Sequence, residues 1–205
     1  MKKLAVLFLL LASTHAFSQD SKQHNAQAIM YPKEFTQVLQ RAQMVFDMPK
    51  DFTETKVIQN EDLSYIYAFK SPDKKMEVRY MIWPLDSQIA KYNRPRNEGE
   101  TRIDPNTTYA KLTFMHMANI SSEPMDQMQD ILPFDSAIVN GEFGADWGGT
   151  ASVILRKTFG GKYEWCSVIA LHKDKVADAW CFFLAKNKED LLSHWDPAFF
   201  SLRFK

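Results

Sequence analysis

The side chains able to do chemistry here are histidine, cysteine, methionine and carboxylate, and their spacing decides which chemistry. After residue 18 the histidines are His24, His116, His172 and His194, with no His-x-x-x-His pair of the kind that holds a metal on a helix face. Met115-His116-Met117, with Met125 and Met128 beyond, offers thioethers and imidazole suited to Cu(I). Residues two apart on a helix point in different directions, so Met115 and Met117 cannot face one ion, and core packing is the expectation. No metal site is expected.

Nucleophilic catalysis lacks a Gly-x-Ser-x-Gly elbow. His172, beside a turn, and His194, on a late helix, are expected to be solvated. The glycines at 141, 144, 148 and 149 lead into Thr150 without the lysine of a phosphate loop, so turns or a bulge are their expected duty. Glu142, Asp146 and Asp178 are the carboxylates that could form an acidic hydrolase site. The spacing assigns no catalytic residue and no cofactor.

These groups hang on residues 150 to 184, the clearest stretch of sheet. Gly160-Gly161 and Lys173-Asp174 read as two-residue turns between runs rich in β-branched and aromatic residues, giving three antiparallel strands. Counting from those turns pairs Leu155 with Cys166, Val153 with Val168, Leu171 with Val176 and Cys166 with Cys181. One face then collects Ala151, Val153, Leu155, Cys166, Val168, Ala170, Ala177, Ala179, Cys181 and Phe183, a small apolar core surface. Opposed cysteines in an exported chain are within disulfide reach, and the bond would contribute about 3 kcal/mol. The alternative is two buried thiols, and a one-residue slip of the second turn would separate them.

The other face carries Ile154, Arg156, Tyr163, Trp165, Ser167, Ile169, Asp178, Trp180 and Phe182. Its expected rows are Arg156–Trp165–Phe182 and Ile154–Ser167–Trp180, with Arg156 over Trp165 as a cation–π pair. Either helices cover this face or it is a binding platform built on Arg156, Trp165, Trp180, Phe182 and Asp178.

Residues 1 to 18 read as a signal peptide: Lys2 and Lys3, an apolar Leu4 to Ala12, and Ala16-Phe17-Ser18 before a cleavage point at Gln19. The apolar run is short for a bilayer span, and no later run approaches spanning length. The expectation is a periplasmic or secreted protein without a transmembrane anchor in its mature form. Residues 19 to 31 read as a flexible leader and 32 to 205 as one domain. Removing residues 1 to 18 takes away two lysines and no acid, leaving 23 basic against 25 acidic residues. That balance gives no electrostatic reason to bind nucleic acid.

Along the domain, Phe35, Val38, Leu39 and Ala42 have helical spacing after Pro32. Strands are expected near Glu54 to Gln59, Leu63 to Lys70 and Met76 to Trp83, a second meander with Tyr65, Tyr67 and Phe69 on one face. Residues 84 to 104 read as an exposed loop, long enough to be functional or mobile. Asp104-Pro105 starts a helix carrying Tyr109, Leu112 and Ile120; Ala137 to Phe143 reads as a strand. Asn187 with Asp190 caps a last helix that Asp196-Pro197 interrupts. The class is α+β: an antiparallel sheet of two meanders with helices packed on both faces, an α/β/α sandwich.

The Met48-Pro49-Lys50-Asp51-Phe52 turn, the Tyr65-Ile66-Tyr67-Ala68-Phe69 meander and the closing Ser201-Leu202-Arg203-Phe204 follow in an order similar to the PsbP/DcrB-like superfamily of exported α/β/α sandwiches. The resemblance spans most of residues 32 to 205. It implies a binding or assembly protein, carries no shared catalytic residue and supplies no partner; the expected partner, unidentified, is a protein or a cell-envelope ligand. The longer 84 to 104 segment departs from that pattern. A non-enzymatic binding protein is thus the expected function; an acidic hydrolase and a small-ligand carrier with a cavity between sheet and helix are the alternatives.

Overall fold

A computed structural model describes residues 31–205. The expected signal peptide and most of the expected leader lie outside the described residues. Helix α1 (Lys33–Arg41) follows Pro32 and buries Phe35 and Leu39, four residues apart on one face. Strands β1 (Met44–Phe46), β2 (Thr53–Glu54), β3 (Tyr67–Lys70) and β4 (Met76–Pro84) come next, then α2 (Asp86–Tyr92). A 3-10 turn at Pro105–Thr107 leads into α3 (Tyr109–Ile120). After them come β5 (Leu132–Pro133), α4 (Ser136–Phe143), β6 (Trp147–Ile154), the one-turn α5 (Lys157–Gly160), β7 (Trp165–Lys173) and β8 (Ala177–Ala185). The chain closes with α6 (Lys188–Phe199) and β9 (Leu202–Phe204).

The class is α+β, and the ladders are antiparallel. Two meanders, β2-β3-β4 and β5-β6-β7-β8, join edge to edge where β4 pairs β8 along nine residues, Met76–Pro84 against Ala177–Ala185. A separate ribbon pairs β1 with β9, so the last residues dock by backbone bonds as well as apolar groups.

Both turns of the central meander differ from expectation, with different consequences. The first is the helical turn α5, and Val153 faces Cys166 while Ile154 faces Trp165. The pairing has moved by two residues, which leaves every side chain on its expected face. The second turn has three residues, Asp174 to Val176, with Lys175 at φ 61° and the Val176 N–H bonded to the Lys173 carbonyl at 3.0 Å. The pairing moves by three, an odd number, so β8 is turned over relative to β7.

The inversion corrects the cysteines. Cys166 faces Leu184 and Cys181 faces Ile169; both are buried free thiols on opposite sides of the sheet, and no Cys166–Cys181 disulfide exists. Cys181, Phe183 and Ile169 share a core with Phe35 and Leu39 of α1, Phe143 of α4 and Leu191 of α6. Cys166, Val168, Trp180 and Phe182 share the other with Met117 and Ile120 of α3. Large apolar side chains fill both.

Three local expectations also change. Residues 137 to 143 are helical: the Asp135 carboxylate accepts the Ala137 N–H, and Gly144 ends the helix at φ 59°, a left-handed cap that glycine tolerates. Tyr65 belongs to the core of Trp180, whereas Tyr67 and Phe69 belong to the other. The Ile66 N–H bonds the carbonyl of Tyr80, the residue that faces Tyr67, and this extra residue breaks the alternation. Pro197 sits inside α6 and does not end it.

Candidate functional site

One row of side chains crosses four strands at one end of the sheet. Trp83 (β4) faces Asp178 (β8), Asp178 faces His172 (β7), and His172 faces Trp147 (β6). Asp178 and His172 are 0% and 1% exposed. His172 Nδ1 lies 2.6 Å from Asp178 Oδ1, and Nε2 lies 2.9 Å from Asp174 Oδ1 in the three-residue turn. Tyr109, at the start of α3, stacks on the imidazole with ring centroids 4.2 Å apart and meets Trp147 at 4.7 Å.

With a carboxylate oxygen at each ring nitrogen, His172 fits as an imidazolium donating both protons. Burial opposes that charge, but the bonds to Asp178 and Asp174 outweigh it and hold the His172 pKa above the ordinary histidine range. Burial pushes the Asp178 pKa up, against the lowering effect of His172. Asp178 Oδ1 is committed to the imidazole. Its buried Oδ2 has no hydrogen-bond partner among the described residues.

Asp178 also lines a cleft of about 570 Å³ between the sheet end, α2 and the segment leading into α3. Asp178 and Leu85 are its buried lining residues. Trp83, Tyr92, Ile103 and Leu112 supply apolar and aromatic wall, and Lys91, Glu100 and Arg102 bring charge. A mostly apolar concavity of this size with a few polar groups is the usual form of a small-molecule site.

The 84 to 104 segment that forms the outer wall is tied down, contrary to the plain loop expected, and contains α2. Arg102 is its anchor. Nη1 donates to the Lys91 carbonyl at 2.7 Å and the Arg94 carbonyl at 2.9 Å, while Nη2 donates to the Pro95 carbonyl at 3.1 Å and Glu100 Oε2 at 2.8 Å. The fork thus satisfies carbonyls at and beyond the α2 C-terminus. Its bond to Glu100 holds that carboxyl well below the usual range, to about 2. The Leu85 N–H bonds the Val176 carbonyl at 2.9 Å, and the Lys175 N–H bonds Asn106 Oδ1 at 2.7 Å, joining both sides of the cleft to the β7–β8 turn.

The remaining sequence-named residues do not assemble into a platform. Trp180 is 1% exposed, with Nε1 donating to Thr113 Oγ1 at 2.8 Å, and Phe182 is fully buried. Both are core. Trp165 is half-buried under Lys188, whose Nζ lies 4.3 Å from the ring centroid, and Arg156 instead donates Nε–H to the Ser121 carbonyl at 2.6 Å. The expected Arg156–Trp165 pair and both expected rows are therefore absent, because β6 and β7 pair two residues away from expectation, β8 is inverted, and Arg156 leaves the strand to precede α5. Asp178 alone of the five meets the cleft. His172, taken from sequence as solvated, is buried beside it.

The acidic site expected as an alternative has no assembled pair: Glu142 is exposed on α4, and Asp146 Oδ2 accepts the Asp174 N–H at 2.8 Å. With both nitrogens held by carboxylates, His172 has no free position to take a proton from a substrate. Met115 and Met125 are exposed while Met117 is in the core, so the methionines do not converge. Gly148 and Gly149 lie within β6, where a Cβ on Gly149 would come 2.9 Å from Ile131 Cγ2. Neither a family model nor a curated protein sequence matches this chain.

Proposed function

We propose that the protein binds a small molecule in this cleft without transforming it, as an exported binding protein of the cell envelope with a PsbP-like fold. The observation that carries the reading is the buried Asp178, which lines a largely apolar cleft and whose Oδ2 has no hydrogen-bond partner among the described residues. A buried carboxylate oxygen without a donor is costly, and such a group at a concave site points to a ligand that satisfies it. The tethering of residues 84 to 104 by Arg102 supports a cleft formed before the ligand arrives, which lowers the ordering cost of binding. The fixed His172 favours holding over turnover.

Titration with the neutral fluorescent probe N-phenyl-1-naphthylamine tests this. The expected result is saturable one-to-one enhancement that weakens about tenfold or more in Thr108→Trp, a substitution that fills the cleft wall, at unchanged melting temperature. Absence of saturable binding, or equal binding by the filled variant, would refute the reading.

A further inference from the structure

We infer that the inner end of the cleft takes a cationic nitrogen, and that the ligand is an amine carried on an apolar or aromatic body. This rests on the small-ligand reading and adds its chemical class. Asp178 is fully buried, one of its oxygens is bonded to His172 Nδ1, and the other has no partner among the described residues. The imidazolium is shared between two carboxylates, Asp178 and Asp174, so the triad carries one negative charge in excess. An N–H donor with positive charge meets both needs of Oδ2, hydrogen bonding and charge.

The other charges around the cleft leave that end to a cation. Arg102 is occupied by Glu100 and four backbone carbonyls. Lys91 is exposed, so solvent screens it and its charge is felt at the mouth. Trp83, directly opposite Asp178 on the neighbouring strand, and Tyr92 place aromatic surface where the ligand's charge and body would lie. An anionic ligand would bring a second negative charge to a carboxylate whose Oδ2 has no donor among the described residues.

The test is displacement of N-phenyl-1-naphthylamine from the full-length protein at neutral pH by three ligands of one shape: 2-phenylethylamine, 2-phenylethanol and 3-phenylpropionate. The expected order is amine, alcohol, carboxylate, with the amine about tenfold or more better than the alcohol. Asp178→Asn puts a donor where Oδ2 stood; it should lose the preference for the amine over the alcohol. The ranking is read on the unsubstituted protein, so it does not depend on the variant's folding. Probe binding with equal displacement by all three, or with the carboxylate best, overturns the amine assignment and leaves the cleft reading intact. No probe binding overturns both.

Discussion

Asp178 and His172 face one another across the β7–β8 pair, Oδ1 to Nδ1 at 2.6 Å, and this contact exists because the turn between them has three residues. A two-residue turn would have put Asp178 on the opposite side of the sheet from its present neighbours. The fold of a hairpin thus positions the one buried carboxylate that meets the cleft.

The pair should behave as a coupled unit. His172→Leu alone leaves Asp178 buried without its counter-charge and is expected to cost about 3–5 kcal/mol. His172→Leu with Asp178→Leu removes both charges and should cost less than the single substitution. Urea unfolding of the two variants and the parent checks this; additive losses would mean that the two residues act independently.

The two buried histidines should titrate in opposite directions. Burial holds His116 down to about 4 from its ordinary 6.5, beneath the edge of the Trp180 system with ring centroids 4.6 Å apart. Its folded pKa is depressed, so the stability it contributes is complete above pH 6.5 and declines as pH falls towards about 4. The shift corresponds to about 3 kcal/mol, and His116→Phe should flatten that acid limb in urea melts. His172 has the opposite sign: its raised pKa contributes stability below the ordinary value, lost as pH rises through the folded one. Histidine Cε1–H NMR titration should place His172 above and His116 below the ordinary histidine value.

Trp180 and Trp165 separate core from surface. Trp180→Ala removes a fully packed ring and an indole hydrogen bond to Thr113, with an expected loss of about 3–5 kcal/mol. Trp165→Ala loses its contact with exposed Lys188, about 0.5–1 kcal/mol. Chemical denaturation of both variants reads the contrast. Comparable losses would contradict the assigned faces.

The thiols give a simple check on strand inversion. Cys166 and Cys181 are buried, and burial pushes both thiols well above the ordinary range. Neither should react with a disulfide reagent such as dithionitrobenzoate in the native protein, and both should react in guanidinium. Reductant should leave the melting temperature unchanged. A drop on reduction would mean that the cysteines are bonded.

Local signals in the sequence were reliable where one residue type decided the geometry. Asn187 does accept the Asp190 N–H at 2.8 Å, Asp104 does cap the turn into α3, and Phe35 with Leu39 does mark a buried helix face. The β7–β8 register was not legible, since it turns on Lys175 adopting φ 61°, a conformation rare for lysine. One residue in that turn inverted β8, moved Cys181, and hid the Asp178–His172 contact. For residues 137 to 143 the apolar Ala-Ile-Val run suggested a strand, although Asp135 and Gly144 already bracketed a helix. Of the cleft, Asp178 and the 84 to 104 segment were visible in sequence. The roles of Arg102 and Tyr109 were not, because each acts on residues brought near only by the folded sheet.

A ligand is expected to occupy the cleft beside Asp178. The five tryptophan indole N–H resonances report on it directly, since Trp83 lines the cleft while Trp165 and Trp180 lie elsewhere. On titration with N-phenyl-1-naphthylamine, the Trp83 indole should shift and saturate at one equivalent, with Trp165 and Trp180 unmoved. Shifts centred on Trp165, or a Trp83 signal that never responds, would contradict binding in this cleft.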